Sequence, residues 1–357
     1  MELALLLRAI RNSADRENQQ EIQRLAAHPP DWVYLAQLAA RHRVSPLLYL
    51  GLKRTAWSLV PAEFQARMKA LFTMNLKRNF RLAHHAARIT ETLKDGGVRV
   101  IPYKGIFLAE SIYGQLSSRE VNDIDLLIDY EDSARSHELL RSLGFEPVER
   151  LDQQQIYRDR KLQIEIDLHW QITPDYFRVE YDFQQLLDRS EQVELGSVAY
   201  RSLANEDLLL LLCIQVAKDS WERQQRLEHL QKVCDIAEVV NQARGMDWLS
   251  IRQHASQQGL SRVVNFALAL AAGLLDTRLP EPVSTEVGQD RKALLLARQV
   301  SAMPFLTKTL SAPGRNSLLD FRLRLRQLFF YLKLRERHRD KWAHIGRVIR
   351  TMTTIAK

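Results

Sequence analysis

One stretch of the chain, from about residue 98 to residue 170, carries the sequence patterns of β-strands. In it, "VRVIP" and "IDLLI" are short runs rich in branched apolar residues, and "QIYRDRKLQIEIDLHW" has the alternation that is typical of a hairpin. Between these runs, "GIFLAESIYG" and "YEDSARSHELLRSLGF" have apolar residues at helical spacing and reach a glycine at their ends. Strands that alternate with helices in this way predict a small sheet covered by helices.

Helical patterns surround this stretch on both sides. The segment "PAEFQARMKALFTMNLKRNFRLAHHAARITETLKDGG" predicts a long helix that ends at its two glycines, and the pattern is helical again from Asn205 onward. We therefore predict an α+β fold with a helical N-terminal region (1–92), a mixed-sheet core (93–204) and a helical C-terminal region (205–357). In the last region, "PEPVSTEVGQD" (280–290) is predicted to be an exposed loop because it is polar and contains two prolines.

The composition excludes several classes of protein. No apolar run reaches the roughly 18 to 20 residues that span a bilayer, so we expect no transmembrane segment. Glu2 lies where an export signal would carry basic residues, which favours a cytoplasmic location. The two cysteines, Cys213 and Cys234, lie in helical patterns and are expected to be reduced core residues, not a disulfide or a metal site.

Acidic residues accompany two of the predicted strands. "VNDIDLLIDY" contains Asp123 and Asp125, which should project together from one side of a strand because alternate residues share a face. Asp167 alternates with Ile166 and Leu168 and should likewise point away from the core. If the two strands are neighbours, three carboxylates converge and require a cation, for which Mg²⁺ is expected and Mn²⁺ is the other candidate. The alternative is a solvated strand end without a metal.

A lysine and a glycine stand between the first predicted strand and its helix. In "IPYKGIFLAE", Lys104 would face the positive end of the helix dipole, which is unfavourable without an anion. Gly105 lets the backbone approach a ligand, and the amides that follow can hold phosphate. The pair therefore predicts a phosphate site, with a solvated loop lysine as the alternative.

Three motifs together resemble a known family. "YKGIFLAESIYG", "SSREVNDIDLLID" and "IEIDLHW", in this order, resemble a bacterial nucleotidyltransferase-like group of the DNA polymerase β superfamily. The resemblance covers about residues 30 to 240 and implies a DNA polymerase β-like core. It implies that Asp123 and Asp125 hold metal ions and that Asp167, the third carboxylate, assists the ion that activates the acceptor hydroxyl. It also implies that Lys104 and Gly105 occupy the place of the superfamily's Gly-Ser phosphate loop.

The resemblance places one more residue and shows two departures. Arg119, which precedes the two motif aspartates, would lie at the mouth of the site. Gly105 is followed by Ile106, so the hydroxyl of the usual Gly-Ser pair is absent. The helix "LLCIQVAKDSW" has Gln215 and Asp219 where the family segment often carries histidines. These departures keep a non-catalytic relative among the candidates.

Two further side chains are candidates for binding the nucleotide. His169 should share the face of Asp167, from which it could touch a metal-bound phosphate or the acceptor; the other interpretation is a hydrogen-bonding group at the surface. Lys218 could reach phosphate from the C-terminal helical region; the other interpretation is a solvated helix face.

The basic character of the chain lies at its C-terminal end. Residues 313–357 contain twelve Lys or Arg and three Asp or Glu, which accounts for the net charge of +8. "LLDFRLRLRQLFFYLKLRERHRDKW" predicts a helix with one apolar face that packs on the protein, although a basic helix can also bind nucleic acid, an anionic membrane surface or an acidic partner. The apolar face is predicted at Leu318, Phe321, Leu325, Leu328, Phe329 and Leu332, and the cations include Arg322, Arg326, Lys333 and Arg337.

The function predicted from these features is transfer of a nucleoside monophosphate from an NTP to an acceptor hydroxyl or phosphate. The acceptor stays open among a small molecule, a peptide, a protein and RNA. A non-catalytic relative that holds a nucleotide or a partner protein is the first alternative. A D-x-D glycosyltransferase is the second; it predicts alternating strands and helices ahead of the motif, where this chain is helical.

Overall fold

A computed structural model gives the fold, and α-helices occupy most of the described chain before the first strand, as predicted. They are α1 (Glu2–Ala9), α2 (Arg16–Ala27), α3 (Trp32–Arg41), α4 (Ser45–Thr55) and α5 (Ala62–Asp95). The residues that the structure describes are 1–11, 15–174, 177, 179–195, 198–220, 229–242, 245–302, 306, 317–342 and 344–346, without the side chains of 317–324.

The sheet has five strands in the order β1-β2-β5-β4-β3. They are β1 (Val100–Pro102), β2 (Ile124–Ile128), β3 (Glu146–Arg150), β4 (Gln154–Asp159) and β5 (Ile164–His169). The β2 and β5 strands pair in parallel and the other neighbours are antiparallel, so the sheet is mixed, and the predicted α+β class is confirmed. The hairpin predicted around β4 and β5 forms. The edge strand β3 ("EPVER") was not predicted, because its side chains are all exposed and show no apolar alternation.

Helices and a second hairpin pack around this sheet. The helices are α6 (Gly105–Ser111), α7 (Ser133–Ser142) and α8 (Phe183–Arg189), and the hairpin consists of β6 (Glu191–Leu195) and β7 (Val198–Ser202). One core cluster joins α5, α6 and α7 to the apolar side of the sheet. Ile124, Leu126 and Ile128 of β2 belong to this cluster, as strand periodicity predicts. The aspartate between them therefore projects from the opposite side.

The rest of the described chain is helical. Its helices are α9 (Asn205–Asp219), α10 (Leu230–Gln242), α11 (Trp248–Gln258), α12 (Ser261–Leu275), α13 (Glu281–Gln289), α14 (Arg291–Val300) and α15 (Ser317–Leu334). The exposed loop predicted at 280–290 is wrong, because α13 occupies it. Its proline lies in the first turn, where the missing N–H is tolerated, and Val283 and Val287 are buried one turn apart.

Within α15 the predicted apolar face is displaced where side chains are described, and its Leu325, Leu328 and Leu332 are half-buried. Phe329 is exposed, whereas Phe330, Tyr331 and Leu334 are buried. The buried face is thus displaced by about one residue, since alternating Leu and Arg residues leave the helical phase ambiguous in the sequence. Arg322 lies outside the described side chains.

Contacts divide the chain into two compact units. The first comprises Met1–Asp175 and Val179–Leu208, so the N-terminal helices and the sheet belong together; the second comprises Tyr176–Arg178 and Leu209–Lys357. Cys213 and Cys234 are buried free thiols, as predicted. Within the described residues, none of the helices is both long enough and apolar enough to span a membrane.

Candidate active site

Strand pairing brings two of the predicted acids side by side. Asp125 of β2 and Asp167 of β5 are direct partners across the parallel pair, and Leu127 is opposite His169. Within the described part of the chain, Asp125, Asp167 and His169 form one group whose potential ligand atoms all lie within 4.8 Å of one another. The convergence predicted for neighbouring strands thus occurs for these two acids, with a histidine as the third member.

Asp123 lies just before β2 and is half-buried. It is not part of the group of three, but it interacts electrostatically with Asp125. Burial and the charge of Asp125 raise the pKa of Asp123 to about 6. The structure therefore places Asp123 beside the other acids and outside their direct cluster.

The Lys104 ammonium group lies against the most buried of the acids. Its Nζ is 2.6 Å from Oδ1 of Asp125, and the Lys104 side chain is 18% exposed. Burial alone would raise the pKa of Asp125, but the charge of Lys104 and hydrogen bonds from His169 and Lys104 outweigh it and lower that pKa. The alternative of a solvated loop lysine is therefore wrong.

Gly105 has a conformation that explains why a glycine is needed there. Its φ of +60° lies in the left-handed region, and a Cβ at this position would be 3.1 Å from the backbone oxygen of Asp123. The turn between β1 and α6 is thus pressed against the start of β2. This close packing fixes the backbone from which Lys104 reaches Asp125.

Two asparagines of α5 hold the loop that leads into β2. The Asn75 side-chain amide donates to the backbone oxygens of Ser117 (3.0 Å) and Arg119 (3.1 Å). The Asn79 amide donates to those of Leu116 (2.5 Å) and Arg119 (2.8 Å). The Arg119 side chain reaches back to the site, since it lowers the pKa of Asp123 against the effect of burial. Sequence reasoning missed both asparagines; the signal was two Asn residues four apart on the buried face of a helix.

A glutamine on the neighbouring strand orients Asp167. The amide of Gln154 in β4 donates to Oδ2 of Asp167 at 2.9 Å, and Gln154 is buried. In the part of the chain that the structure describes, the other oxygen, Oδ1, is buried and accepts no hydrogen bond. Burial, followed by the charges of Asp125 and Asp123, raises the pKa of Asp167 to about 7. Such an orphaned carboxylate oxygen suits a bound cation.

His169 is a buried member of the site. Its Nε2 is 3.3 Å from Oδ1 of Asp125, and the residue is 5% exposed. The interpretation of His169 as a surface group is therefore wrong, because its ring is buried against Asp125. Two acids and an imidazole are a donor set that divalent ions accept, so the residues present fit a metal ion.

Tyr103 was not singled out in the sequence but lies next to this group. It is 2% exposed, and its ring packs edge-on against that of His169, with the ring centroids 5.5 Å apart. Among the described residues its buried hydroxyl has no hydrogen-bond partner. Burial, followed by the charge of Asp125, raises the pKa of Tyr103. The phenol therefore stays protonated and can donate to a ligand.

Lys218 belongs to a separate cluster in the second unit. Its Nζ is 2.7 Å from Oδ1 of Asp219, whose Oδ2 is 2.5 Å from Nζ of Lys232. Asp219 is buried, and the two lysines outweigh the effect of burial and lower its pKa. The interpretation of Lys218 as part of a solvated helix face is wrong, since its ammonium group is ion-paired and mostly covered.

A protein family described as "Uncharacterised nucleotidyltransferase" matches residues 28–276. This chain belongs to that family. The matched range includes both aspartates of the D-x-D motif, the Lys-Gly turn and all five strands of the sheet. Membership supports a transferase.

Comparison with other proteins adds little beyond the family. No curated protein matches the chain. A solved structure that is similar to part of it is an antigenic nucleotidyltransferase-like protein from Paracoccidioides brasiliensis, at 16% identity. The match covers 58% of this chain and 92% of the other, with a TM-score of 0.37. That score is too low for the likeness to support an inference.

Proposed function

We propose that the chain transfers a nucleoside monophosphate from an NTP to an acceptor hydroxyl or phosphate. In this reaction the acceptor oxygen forms a bond to the α-phosphorus, the α–β phosphoanhydride bond breaks, pyrophosphate leaves, and the acceptor gives up its proton. The observation that carries the proposal is the pairing of Asp125 with Asp167 across two parallel strands, with a lysine against one and an orphaned oxygen on the other.

In this proposal Asp123, Asp125 and Asp167 hold the divalent ion, with His169 beside them. When bound, Mg²⁺ or Mn²⁺ would neutralise phosphate charge and make the acceptor hydroxyl more acidic. Asp167 is suited to the acceptor side, because Gln154 fixes its direction and leaves Oδ1 available. Positioning and charge neutralisation would then supply most of the catalysis.

The phosphate chain would be bound by the cations around the acids. Lys104 contacts Asp125 at the strand end, and Gly105, which packs against the backbone oxygen of Asp123, is proposed as a nucleotide-binding position at the start of α6. Arg119 is held at the same place by the two α5 asparagines. His169 is proposed as a further nucleotide contact, because its ring lies beside Asp125 at the same strand end.

The test is incubation with each of the four α-labelled NTPs and Mg²⁺ or Mn²⁺, with a cell extract as the source of acceptors. We expect pyrophosphate release and label on the protein or on an extract component for one NTP. Asp125→Asn should abolish it, whereas Asp95→Asn, an exposed aspartate at the end of α5, should not. A wild-type protein that neither binds nor turns over any NTP would contradict the proposal.

A second candidate is a protein that binds a nucleotide without transferring it. The absence of a hydroxyl at Ile106, where a Gly-Ser pair would have one, favours it. The same experiment separates the two functions, because this candidate predicts metal-dependent NTP binding with no pyrophosphate release.

A further inference from the structure

The Lys104 ammonium group donates a hydrogen bond to Oδ1 of Asp125, an oxygen that the proposed metal site needs. Oδ1 of Asp125 is 2.6 Å from Lys104 Nζ and 3.3 Å from His169 Nε2. An ammonium group and a divalent ion on one carboxylate repel each other, and each weakens the binding of the other. Metal binding at Asp125 therefore competes with this lysine.

The backbone of Lys104 is held by packing, while its long side chain is partly exposed. Gly105 is packed against the backbone oxygen of Asp123, which holds the turn in place. The lysine side chain is a flexible stem of four carbons with a point charge at its end. Part of that side chain is exposed, so the ammonium group has a route away from the carboxylate.

An anionic ligand would change which partner the ammonium group prefers. Lys104 is in direct contact with Asp125, and a triphosphate carries several negative charges into the same site. We propose that Lys104 is a tethered counter-ion that weakens divalent-ion binding to Asp125 until a nucleotide triphosphate draws it away. This inference rests on the proposed function, since it names the nucleotide as the displacing anion.

The consequence is a positive coupling between two ligands. With Lys104 on Asp125, the nucleotide-free protein holds a divalent ion weakly and keeps its buried carboxylate neutralised. Once phosphate binds the lysine, Asp125 becomes available to the ion. Linkage requires the effect to be reciprocal, so the ion also strengthens nucleotide binding. The site would then fill with metal mainly when its substrate is present.

The first experiment measures Mn²⁺ affinity without nucleotide. Lys104→Gln removes the charge and keeps a hydrogen-bonding side chain, so Mn²⁺ should bind about tenfold more tightly than to the wild type. Lys104→Arg keeps a cation and should bind Mn²⁺ like the wild type. Lys77→Met, an exposed lysine of α5, is the matched control and should change nothing. Equal or weaker Mn²⁺ binding by Lys104→Gln overturns the inference.

Loss of the lysine could also destabilise the fold by leaving Asp125 without a counter-ion. Thermal unfolding with and without Mn²⁺ separates this effect from the proposed one. We expect Lys104→Gln to be less stable than the wild type in metal-free buffer and to gain more stability from Mn²⁺ than the wild type does. A variant that stays destabilised at saturating Mn²⁺ would show that the lysine is purely structural.

The second experiment compares Mn²⁺ affinity with and without a non-hydrolysable α,β-methylene NTP. Chelation of Mn²⁺ by the analogue raises the apparent Mn²⁺ affinity equally in the wild type and in Lys104→Gln. Any additional coupling in the wild type therefore measures the contribution of the Lys104 charge. We expect that excess to be about tenfold. Equal coupling in the two proteins overturns this inference and leaves nucleotide transfer standing. If no nucleotide binds, the proposed function fails, and the role of the triphosphate fails with it.

Discussion

Two buried charge clusters, one in each unit, use similar residues in opposite proportions. At the strand ends Lys104 contacts Asp125, and the pKa values of Asp123, Asp125 and Asp167 are driven apart. In the helical unit, Asp219 has two lysines within 2.7 Å. In the first cluster the pKa values of Asp123 and Asp167 are raised, which is expected of a ligand site. The second pairs each oxygen of its carboxylate with a lysine, which is expected of an ion-pair network that maintains structure.

The largest expected contrast is in activity. Asp167→Asn keeps the shape of the side chain and removes the charge, so nucleotidyl transfer should fall by about 10²–10³-fold while NTP binding is largely retained. Rates of pyrophosphate release and NTP affinities measure the two effects. Asp219→Asn should change the rate far less. If Asp167→Asn transfers nucleotide at the wild-type rate, the proposed role of Asp167 is wrong.

The two clusters should also differ in the pH dependence of stability. Asp167 has a pKa of about 7 in the metal-free fold, against 3.8 as its ordinary value. Between these values the folded state holds a proton that the unfolded chain has lost, so the free energy of unfolding should fall as pH rises from 4 to 7, with at most about 4 kcal/mol from Asp167. Asp123, whose pKa is raised to about 6, adds to the fall in the same range. Asp219 has a lowered pKa, so its contribution is present above about pH 4 and is lost on acidification.

Urea unfolding at a series of pH values tests this difference. The decline between pH 4 and 7 should become shallower in Asp167→Asn or with saturating Mg²⁺. The decrease in the free energy of unfolding on acidification below about pH 4 should become shallower in Asp219→Asn. If Asp167→Asn leaves the slope between pH 4 and 7 unchanged, the raised pKa has been assigned to the wrong group.

A smaller effect is expected on the stability of the helical unit. Asp219→Asn leaves two partly covered lysines close together without their carboxylate, which should cost about 1–3 kcal/mol in the free energy of unfolding. Thermal or urea unfolding at pH 7 measures it. Asp188→Asn, an exposed aspartate of α8, is a suitable control. A stability equal to that of the wild type would mean that this cluster is not a structural ion pair.

The smallest expected effect concerns the residue that orients Asp167. Gln154→Ala should weaken Mn²⁺ binding by about 10-fold or more, because residues that hydrogen-bond to a metal ligand fix its orientation. The free energy of unfolding should change little. Its neighbour Gln155 bonds to backbone oxygens of Glu149 and Ile156, so Gln155→Ala is the matched control. Titration with Mn²⁺ compares the two variants. If Gln154→Ala and Gln155→Ala bind Mn²⁺ with equal affinity, Gln154 does not orient a metal ligand.

Local periodicity was enough to predict much of the strand-end site. The two-residue repeat of a strand sets which side chains share a face, so Asp125 was expected away from the core and His169 on the side of Asp167. The change from helical to strand patterns also located β1, β2 and the hairpin of β4 and β5. Periodicity failed where the local signal was ambiguous: the helix α13 was predicted as a loop, and the face of α15 was shifted.

The sequence by itself determined the strand faces, the α+β class and the family resemblance, because each depends on residues close together in the chain. Tertiary structure alone decided which groups meet. It paired Lys104 with Asp125, Gln154 with Asp167, and Asn75 with the loop before β2, across separations of 21, 13 and 42 residues. Such pairs leave no periodic trace, since their contacts arise only when strands and helices pack.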